Sequence, residues 1–543
     1  MPELAPHYYR DNFLQLLETV EAQYGDILLT HESDFIQCYR QLPFVAQCLY
    51  VRLVSRRGPW FREAALDYPE LGQLETPVSD LLEAGMALEP EALDPEELGK
   101  LCTREELLSM FGGTRTNKQS LLDALAETAP EALLLALVKH QPGRIIGPSG
   151  GGTVDLMQLL FFGNRRQGMT DFVLSDLGVA RYYAYSLDRS SRLFPGRDEL
   201  DEYLACAELS DLWWELREAG DVPGMLQLAA EMTASPPRYA TSLRRWYRLA
   251  NRLARELERS DYAVEALSLY RLSHLHPARE RTARVLEQSG DLEQALALCQ
   301  AIEQQPWCEE ERDAAARISP RLRRKITGES QPRTRDRFTE IALCLPRSQA
   351  GVELRVCEAL EGQWTELHYV ENRLFNALFG LAFWEQIFAP LPGAFNNPYQ
   401  SAPADMYEQN FYINRRDLLE GRIAELEQLA LAEELPRLWR RYQGYQCSWV
   451  NWKYLSEDLL VAAARVIPSS HLLAIWRRML FDPGENRRGF PDVLALGENP
   501  GEYQLIEVKG PGDALQDSQR RWLRFFQREA IPAAVAWVQW ADD

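Results

Sequence analysis

The sequence predicts a multidomain, mainly α-helical chain that ends in one α/β domain. Three observations predict this. Its 543 residues exceed what one hydrophobic core organises, so three or four domains are expected. Apolar residues recur at three- and four-residue steps near the N-terminus, around residues 98–127 and again over residues 219–296. Near the C-terminus the period changes: Pro491 to Leu496 and Tyr503 to Lys509, rich in Val, Leu and Ile, flank a Gly-Glu-Asn-Pro-Gly-Glu turn cluster and read as a β-hairpin. The expected organisation is a mostly helical domain over 1–95 with winged-helix as one form, a short module over 96–135, and a linker region with a strand and helices over 136–215. Helical repeats over 216–340 and the α/β domain over 341–543, with its hairpin at 489–512, complete it.

In the first domain Phe13, Leu16, Leu17 and Val20 share a helix face, and Cys48 to Val54 reads as a short strand. Arg52, Arg56 and Arg57 fit a solvated face better than a DNA contact. Between Leu98 and Glu127 two short amphipathic segments are joined by Gly-Gly-Thr-Arg-Thr-Asn-Lys, and Thr103 with Glu106 forms a capping box. This resembles a SAP module, a helix-loop-helix DNA binder, with Arg115 and Lys118 placed in the polar linker to reach phosphates; a plain helical hairpin is the alternative. The glycine-rich run Gly143 to Gly152 lacks the endings of phosphate-binding loops. Phe172 to Ala184 reads as strand and Asp198 to Glu215 as helix.

Glu258 to Leu267 and Glu287 to Leu296 repeat one pattern, a helix end, a tight turn and an Ala/Leu helix, with a fainter copy at Ala219 to Leu226. That spacing predicts stacked helical hairpins of tetratricopeptide type. Arg244, Arg248, Arg252, Arg255 and Arg259 share one helix face, and Arg279, Arg281 and Arg284 follow nearby. Such a stripe is either a phosphate-binding surface, because guanidinium groups bind phosphate bidentately, or a solvated face laced with Glu256 and Glu258. Arg321 to Arg337 is basic, broken by Gly and Pro, and reads as a linker.

A net charge of −21 and pI near 5.0 exclude indiscriminate nucleic-acid binding, so any DNA contact must be local. The nine Cys form no CxxC pair and no zinc spacing. No signal peptide and no apolar stretch of about 20 residues is present, so a cytoplasmic protein without membrane contact is expected.

The chemistry concentrates in the hairpin. Symmetric pairing about its turn sets Leu496 against Tyr503, Leu494 against Leu505 and Asp492 against Glu507. Opposed carboxylates repel, and a hard divalent cation such as Mg²⁺ or Mn²⁺ offsets the repulsion. Lys509, two residues from Glu507, lies on the same face. Pro491-Asp492 with Glu507-Val508-Lys509 is the PD-(D/E)xK nuclease pattern. A helix with Leu515, Trp522, Leu523 and Phe526 on one side follows, then a strand from Ala533 to Trp540. Upstream, a helix from Glu371 to Phe388 is expected to bury Leu374, Phe375 and Phe379, placing Glu371 on the same face, where a carboxylate needs a metal or another partner. In the long insertion from about Leu391 to Leu480, Trp449, Trp452 and Tyr454 are expected in the core.

Gly489-Phe490-Pro491-Asp492-Val493, Leu505 to Pro511, Ser518-Gln519 with Trp522-Leu523, and the upstream His368-Tyr369-Val370-Glu371-Asn372 block with Phe379-Gly380-Leu381 and Phe383-Trp384 resemble the virus-type replication-repair nuclease domain of the Fanconi-associated nuclease family. The resemblance implies a restriction-endonuclease-like catalytic domain. It implies one or two Mg²⁺ or Mn²⁺ ions held by Glu371, Asp492, Glu507 and the Val508 carbonyl, with Lys509 orienting water and Gln519 supporting the site. The implied activity is metal-dependent, structure-selective cleavage of 5′ flaps, with 5′-to-3′ exonuclease stepping of phosphodiesterase I type, in interstrand-crosslink repair. The implied partner is DNA as a 5′ flap, a nicked or crosslinked duplex, or a 5′-phosphate end. It also implies a flap-phosphate pocket, best carried over to Arg248, Arg252 and Arg281, with Arg244 and Arg284 as further contacts. The animal relatives' ubiquitin-binding zinc finger has no counterpart here, which suggests a microbial form. A resolvase- or restriction-like nuclease and a non-catalytic DNA- or protein-binding scaffold are the alternatives.

Overall fold

The computed structural model describes residues 6–56, 58–112, 117–165, 167, 181–328, 335–347 and 351–541. The chain folds into two compact units, one of residues 1–180 with 187–192, the other of 181–186 with 193–543.

In the first unit helices Tyr8–Tyr24, Thr30–Gln41 and Phe44–Val54 pack around Phe13, Tyr39 and Tyr50. The strand expected at Cys48 to Val54 is helix: Ala46 to Val51 and Leu53 are all buried, and a segment covered on every side carries no period that separates helix from strand. Strands β1 (Phe61–Arg62), β2 (Ala87–Leu88) and β3 (Ile145–Pro148) form an antiparallel sheet in the order β1-β3-β2. Helix Gly151–Phe162 then packs on Tyr8–Tyr24. Residues 145–162 thus belong to the first unit's core, and not to the linker expected over that part of 136–215. The glycine run supports the sheet-to-helix turn: Gly150 has φ +74°, and a Cβ there would meet Phe35 at 2.9 Å.

Helices Pro95–Leu101, Arg104–Phe111, Lys118–Ala124 and Pro130–His140 make up the SAP-like region. Its capping box is formed, Glu106 N–H donating to Thr103 Oγ1 at 3.3 Å and Thr103 N–H to Glu106 Oε2 at 2.6 Å. Arg62 and Gln141 both donate to Glu106 Oε1, at 2.8 and 2.6 Å, tying the region to β1. Lys118 opens a helix rather than lying in the linker. Arg115, Arg57 and most of the strand expected at Phe172 to Ala184 fall outside the described residues.

In the second unit seven helices, Arg197–Glu218, Val222–Ala234, Ala240–Arg259, Ala263–Leu272, Ala278–Gln288, Leu292–Gln304 and Glu309–Thr327, pack in succession, the first five around Trp246 and Leu253 and the last three around Cys299 and Ile318. The repeated turn is real in detail. Asp221, Tyr262 and Asp291 each donate a backbone N–H at 2.9 Å to the carbonyl five residues earlier, of Leu216, Leu257 and Leu286. The preceding residue is left-handed each time: Gly220 (φ +65°), Asp261 (φ +67°) and Gly290 (φ +85°). The basic segment read as a linker is helical to Thr327, and Arg321 pairs with Glu287.

The C-terminal domain is built on a five-stranded sheet of β4 (Thr339–Leu345), β5 (Glu366–Tyr369), β6 (Val493–Leu496), β7 (Tyr503–Lys509) and β8 (Ala533–Trp540), in the order β4-β8-β7-β6-β5. β8 runs parallel to β4 and β7, while β6 is antiparallel to β7 and β5. The hairpin register is the one the turn predicts, Leu496 against Tyr503 and Leu494 against Leu505. The strands are covered on both faces: all four residues of β6 and six of the seven in β7 are buried, with Gln504 the exception. The 391–480 insertion is largely helical. Trp449 is buried, Trp452 is half-buried, and Tyr454 is exposed, contrary to its expected core position.

Candidate active site

Continuing the β6–β7 register by one residue brings Asp492 opposite Glu507, and the contacts follow it. Val508 N–H donates to Asp492 Oδ2 at 2.9 Å. The Asp492 carbonyl accepts from Val370 and Glu371 N–H, at 2.8 and 3.0 Å, so one residue joins the hairpin to the end of β5.

Glu507 is 1% exposed and Lys509 7%. Glu507 Oε1 receives the Lys509 ammonium at 2.9 Å and Gln519 Nε2 at 2.5 Å. Gln519 is held in turn, its Oε1 accepting from Gln516 N–H at 2.8 Å at the start of helix Asp517–Arg528. Glu507 Oε2 is buried with no hydrogen-bond partner. Burial, and then the charge of Asp492, push the Glu507 carboxyl up to about 8; burial raises Asp492 as well. An orphaned, desolvated carboxylate oxygen beside a second acid lacks positive charge, and hard oxygen donors fit a divalent cation.

Glu371 differs from its sequence reading. The helix begins after it, at Arg373, and ends at Ala382, with a separate turn at Trp384–Ile387. Glu371 sits at φ +46°, unusual for a residue with a side chain, because both its N–H and that of Val370 converge on one carbonyl. Its carboxylate is 38% exposed and accepts from Tyr369 OH at 3.3 Å, with Arg373 at 3.2 Å. It is therefore not on the helix's buried face. Among the described residues no three His, Cys, Asp or Glu side chains converge closely enough to hold an ion, so Glu371 shares a cleft with Asp492 without closing on it.

That cleft, about 730 Å³, is lined by Glu371, Asp492 and Gln519 from the catalytic domain and by the His276–Glu280 and Glu310–Arg317 segments of the array. Seven carboxylates and three arginines line it. His276, not singled out by sequence, lies 3.2 Å from Glu310: burial opposes its charge, but Cys308 and Glu310 outweigh this and lift it to about 10. A more apolar cavity of about 690 Å³, lined by Tyr247, Trp307 and Phe481, contains none of the predicted catalytic residues.

The arginine stripe exists, but it is not an open cationic surface. Arg244 and Arg248 pair with Glu408, Arg255 with Glu258 and Arg259 with Glu256. Arg281 Nε donates to the half-buried Glu258 at 3.1 Å, Arg284 pairs with Glu280 at 2.8 Å, and Arg252 lies 5.8 Å from the Trp213 ring centre. None of Arg248, Arg252 and Arg281 lines the catalytic cleft.

Three family profiles match the chain: the FAN1 HTH domain over residues 7–87, the Fanconi anemia-associated nuclease SAP domain over 92–136 and the VRR-NUC domain over 427–540. The Fanconi-associated nuclease 1 homolog of Pseudomonas aeruginosa is 35% identical over 555 residues, covering 100% of this chain and 97% of its own. The rice homolog is 26% identical and human Fanconi-associated nuclease 1 is 25% identical; this chain spans 61% and 62% of their lengths. Two crystal structures of paFAN1, bound to two-nucleotide and one-nucleotide 5′-flap DNA with a gap, superpose with TM-scores of 0.83 and 0.80 at 34% and 33% identity, each covering 99% of both chains. Similarity along the entire length, in fold as well as in sequence, means that the chain belongs to the Fanconi-associated nuclease family.

Proposed function

We propose that the chain is a divalent-metal-dependent DNA nuclease of phosphodiesterase I type, cutting near the 5′ end of a flap and stepping 5′ to 3′, in the repair of interstrand crosslinks. The observation that carries this reading is the Glu507 carboxylate: one oxygen fixed by Lys509 and Gln519, the other buried without a partner beside Asp492. Asp492, Glu507 and the Val508 carbonyl would hold the ion, joined by Glu371 across the cleft. Bound there, Mg²⁺ or Mn²⁺ supplies positive charge that polarises the scissile phosphate and acidifies water. Lys509 holds a donor where negative charge develops, and Gln519 keeps Glu507 oriented. The 5′-flap substrate is supported by the kinship with paFAN1, whose solved complexes contain such DNA. Arg248, Arg252 and Arg281 are the proposed contacts to a terminal 5′ phosphate, Arg248 and Arg281 exchanging carboxylate partners for it. Arg244, Arg284 and Lys118 are further candidate contacts. Among the described residues no single helix is long and apolar enough to cross a membrane, and we place the protein in the cytoplasm, at the nucleoid in a bacterium.

The test is incubation of purified protein with labelled 5′-flap and four-way-junction DNA, with and without Mn²⁺. Asp492→Ala and Lys509→Ala are each expected to lower flap cleavage by at least about 10²-fold while flap binding is retained. Normal turnover by either variant rejects the assignment.

A further inference from the structure

The last array helix, Glu309–Thr327, begins with an acid that sees no solvent. Glu309 is 0% exposed; its Oε2 pairs with Arg312 of its own helix, and its other partners belong to the catalytic domain. Its Oε1 accepts from Asn486 Nδ2 at 3.2 Å and lies 3.4 Å from Arg478 Nε, while its backbone N–H donates to Asp482 Oδ2 at 3.0 Å.

From there the contacts run toward the reacting acids by two routes. Asp482 and Asn486 bracket the turn Pro483–Asn486, six residues before Asp492, and the Asn486 N–H closes that turn on the Asp482 carbonyl at 2.8 Å. Arg478 donates from Nη1 to the Arg521 carbonyl at 2.7 Å and lies over the Trp522 ring at 4.4 Å, on the helix that presents Gln519 to Glu507. Trp522 Nε1 then donates to the Arg488 carbonyl at 2.9 Å, joining the two routes beneath Phe490. Burial is severe enough to pull the Arg478 guanidinium down to about 10.

A buried ion pair stabilises little over apolar packing of the same volume, because desolvation consumes the attraction. What it supplies is directionality, since an apolar contact tolerates sliding and a hydrogen-bonded charge does not. We propose that Glu309, Arg478 and Asn486 form a register pin, positioning residues that fix the helical array against the Asp492–Glu507 pair and so set which phosphodiester bond is cut. This rests on the proposed function, in which the array holds the DNA end and the hairpin cuts it. One nucleotide of strand rises about 3.4 Å, so a slip of that size between array and hairpin presents the next bond.

The experiment maps incision at single-nucleotide resolution on a 5′-phosphorylated flap with Mn²⁺. Glu309→Leu, Arg478→Met and Asn486→Leu are combined in one variant, and Glu309→Gln is made separately. The combined variant is expected to melt at or above the wild-type temperature, yet to spread incision to bonds one or more nucleotides from the wild-type position. Glu309→Gln, which keeps shape and loses charge, is expected to broaden the pattern less, and it decides the matter if the combined variant does not fold. Folded variants that cut only at the wild-type bond, at whatever rate, overturn the pin while leaving the nuclease reading intact. Scattered incision by the wild type overturns the pin, and no incision by the wild type removes the nuclease reading on which it rests.

Discussion

Gln519 is the neutral donor to Glu507, and its removal gives a graded test of the site. Gln519→Ala deletes a 2.5 Å hydrogen bond to a buried carboxylate. Bonds of that charge-assisted kind are worth about 1.5–3 kcal/mol, and leaving a buried acceptor short costs at the upper end. If the whole loss is felt in the transition state, at about 1.4 kcal/mol per decade, the single-turnover rate falls about ten- to hundredfold. The same substitution removes the acceptor for Gln516 N–H, which costs about 0.5–2 kcal/mol of helix capping and appears in thermal denaturation, not in the rate per folded molecule. Gln519→Glu separates the two effects: it keeps an acceptor for Gln516 and replaces the donor with a second anion against Glu507. Its expected signature is near-normal melting with a larger rate loss. The assay is single-turnover cleavage of a labelled 5′ flap at saturating Mn²⁺, with melting recorded in parallel. A folded Gln519→Ala protein within about threefold of wild type, or a fully active Gln519→Glu protein, refutes the support role.

Further predictions probe other parts of the chain. Replacing Arg248, Arg252 and Arg281 together by Ala should abolish preference for a 5′ phosphate and lower the slope of log K against log salt by about 0.7, the share of the one single-strand phosphate they would hold; an unchanged slope removes them from the DNA surface. Glu106, drawn down to about 2 because the Arg62 guanidinium and the capping N–H outweigh its burial, lends stability that is fully present above its usual carboxylate range and fades as pH falls toward 2. Wild type should therefore melt above Glu106→Gln near neutral pH, with the gap closing in acid; a gap that widens in acid contradicts the sign. Asp261→Gly relieves a left-handed residue at φ +67° where the sister turns carry Gly220 and Gly290, and should raise the urea midpoint by an amount equivalent to about 0.5 kcal/mol. A lower midpoint means that the Asp261 side chain has a role of its own.

What could be read from sequence was what local chemistry encodes. The Gly-Glu-Asn-Pro-Gly-Glu turn fixes the pairing of Leu496 with Tyr503, and pairing at a period of two then carries Asp492 to Glu507 without further information. The three helix-ending turns and the Thr103–Glu106 box were legible for the same reason. Long-range pairing was not. β3 is four residues whose partners lie at Phe61 and Ala87, so nothing near Ile145 announces that it completes the first unit. Glu371 was identified as a residue but misplaced, because its left-handed backbone is imposed by a carbonyl far along the chain. The arginine spacing was visible, whereas the neutralising Glu408 belongs to a segment with no sequence relation to that helix.

The neutralised arginines and the acidic cleft belong to one electrostatic arrangement. A chain of net charge −21 gains little from bulk attraction to duplex DNA, and a phosphate bound at a paired arginine replaces a carboxylate already in place. On the proposed reading, a phosphate at Arg281 displaces Glu258 and one at Arg248 displaces Glu408. Such an exchange gains little at one isolated phosphate, because one anion replaces another. It gains more where a terminal phosphate of higher charge meets several guanidiniums together, which a chain end offers and continuous duplex does not. At the hairpin the balance runs the other way: Asp492 and Glu507 have the Lys509 ammonium but no guanidinium beside them, and on the proposed reading a divalent cation supplies the rest of the positive charge that a phosphodiester needs there. Weak attraction along the duplex and a site that takes a phosphodiester with its counter-charge in place together favour recognition of structure over sequence.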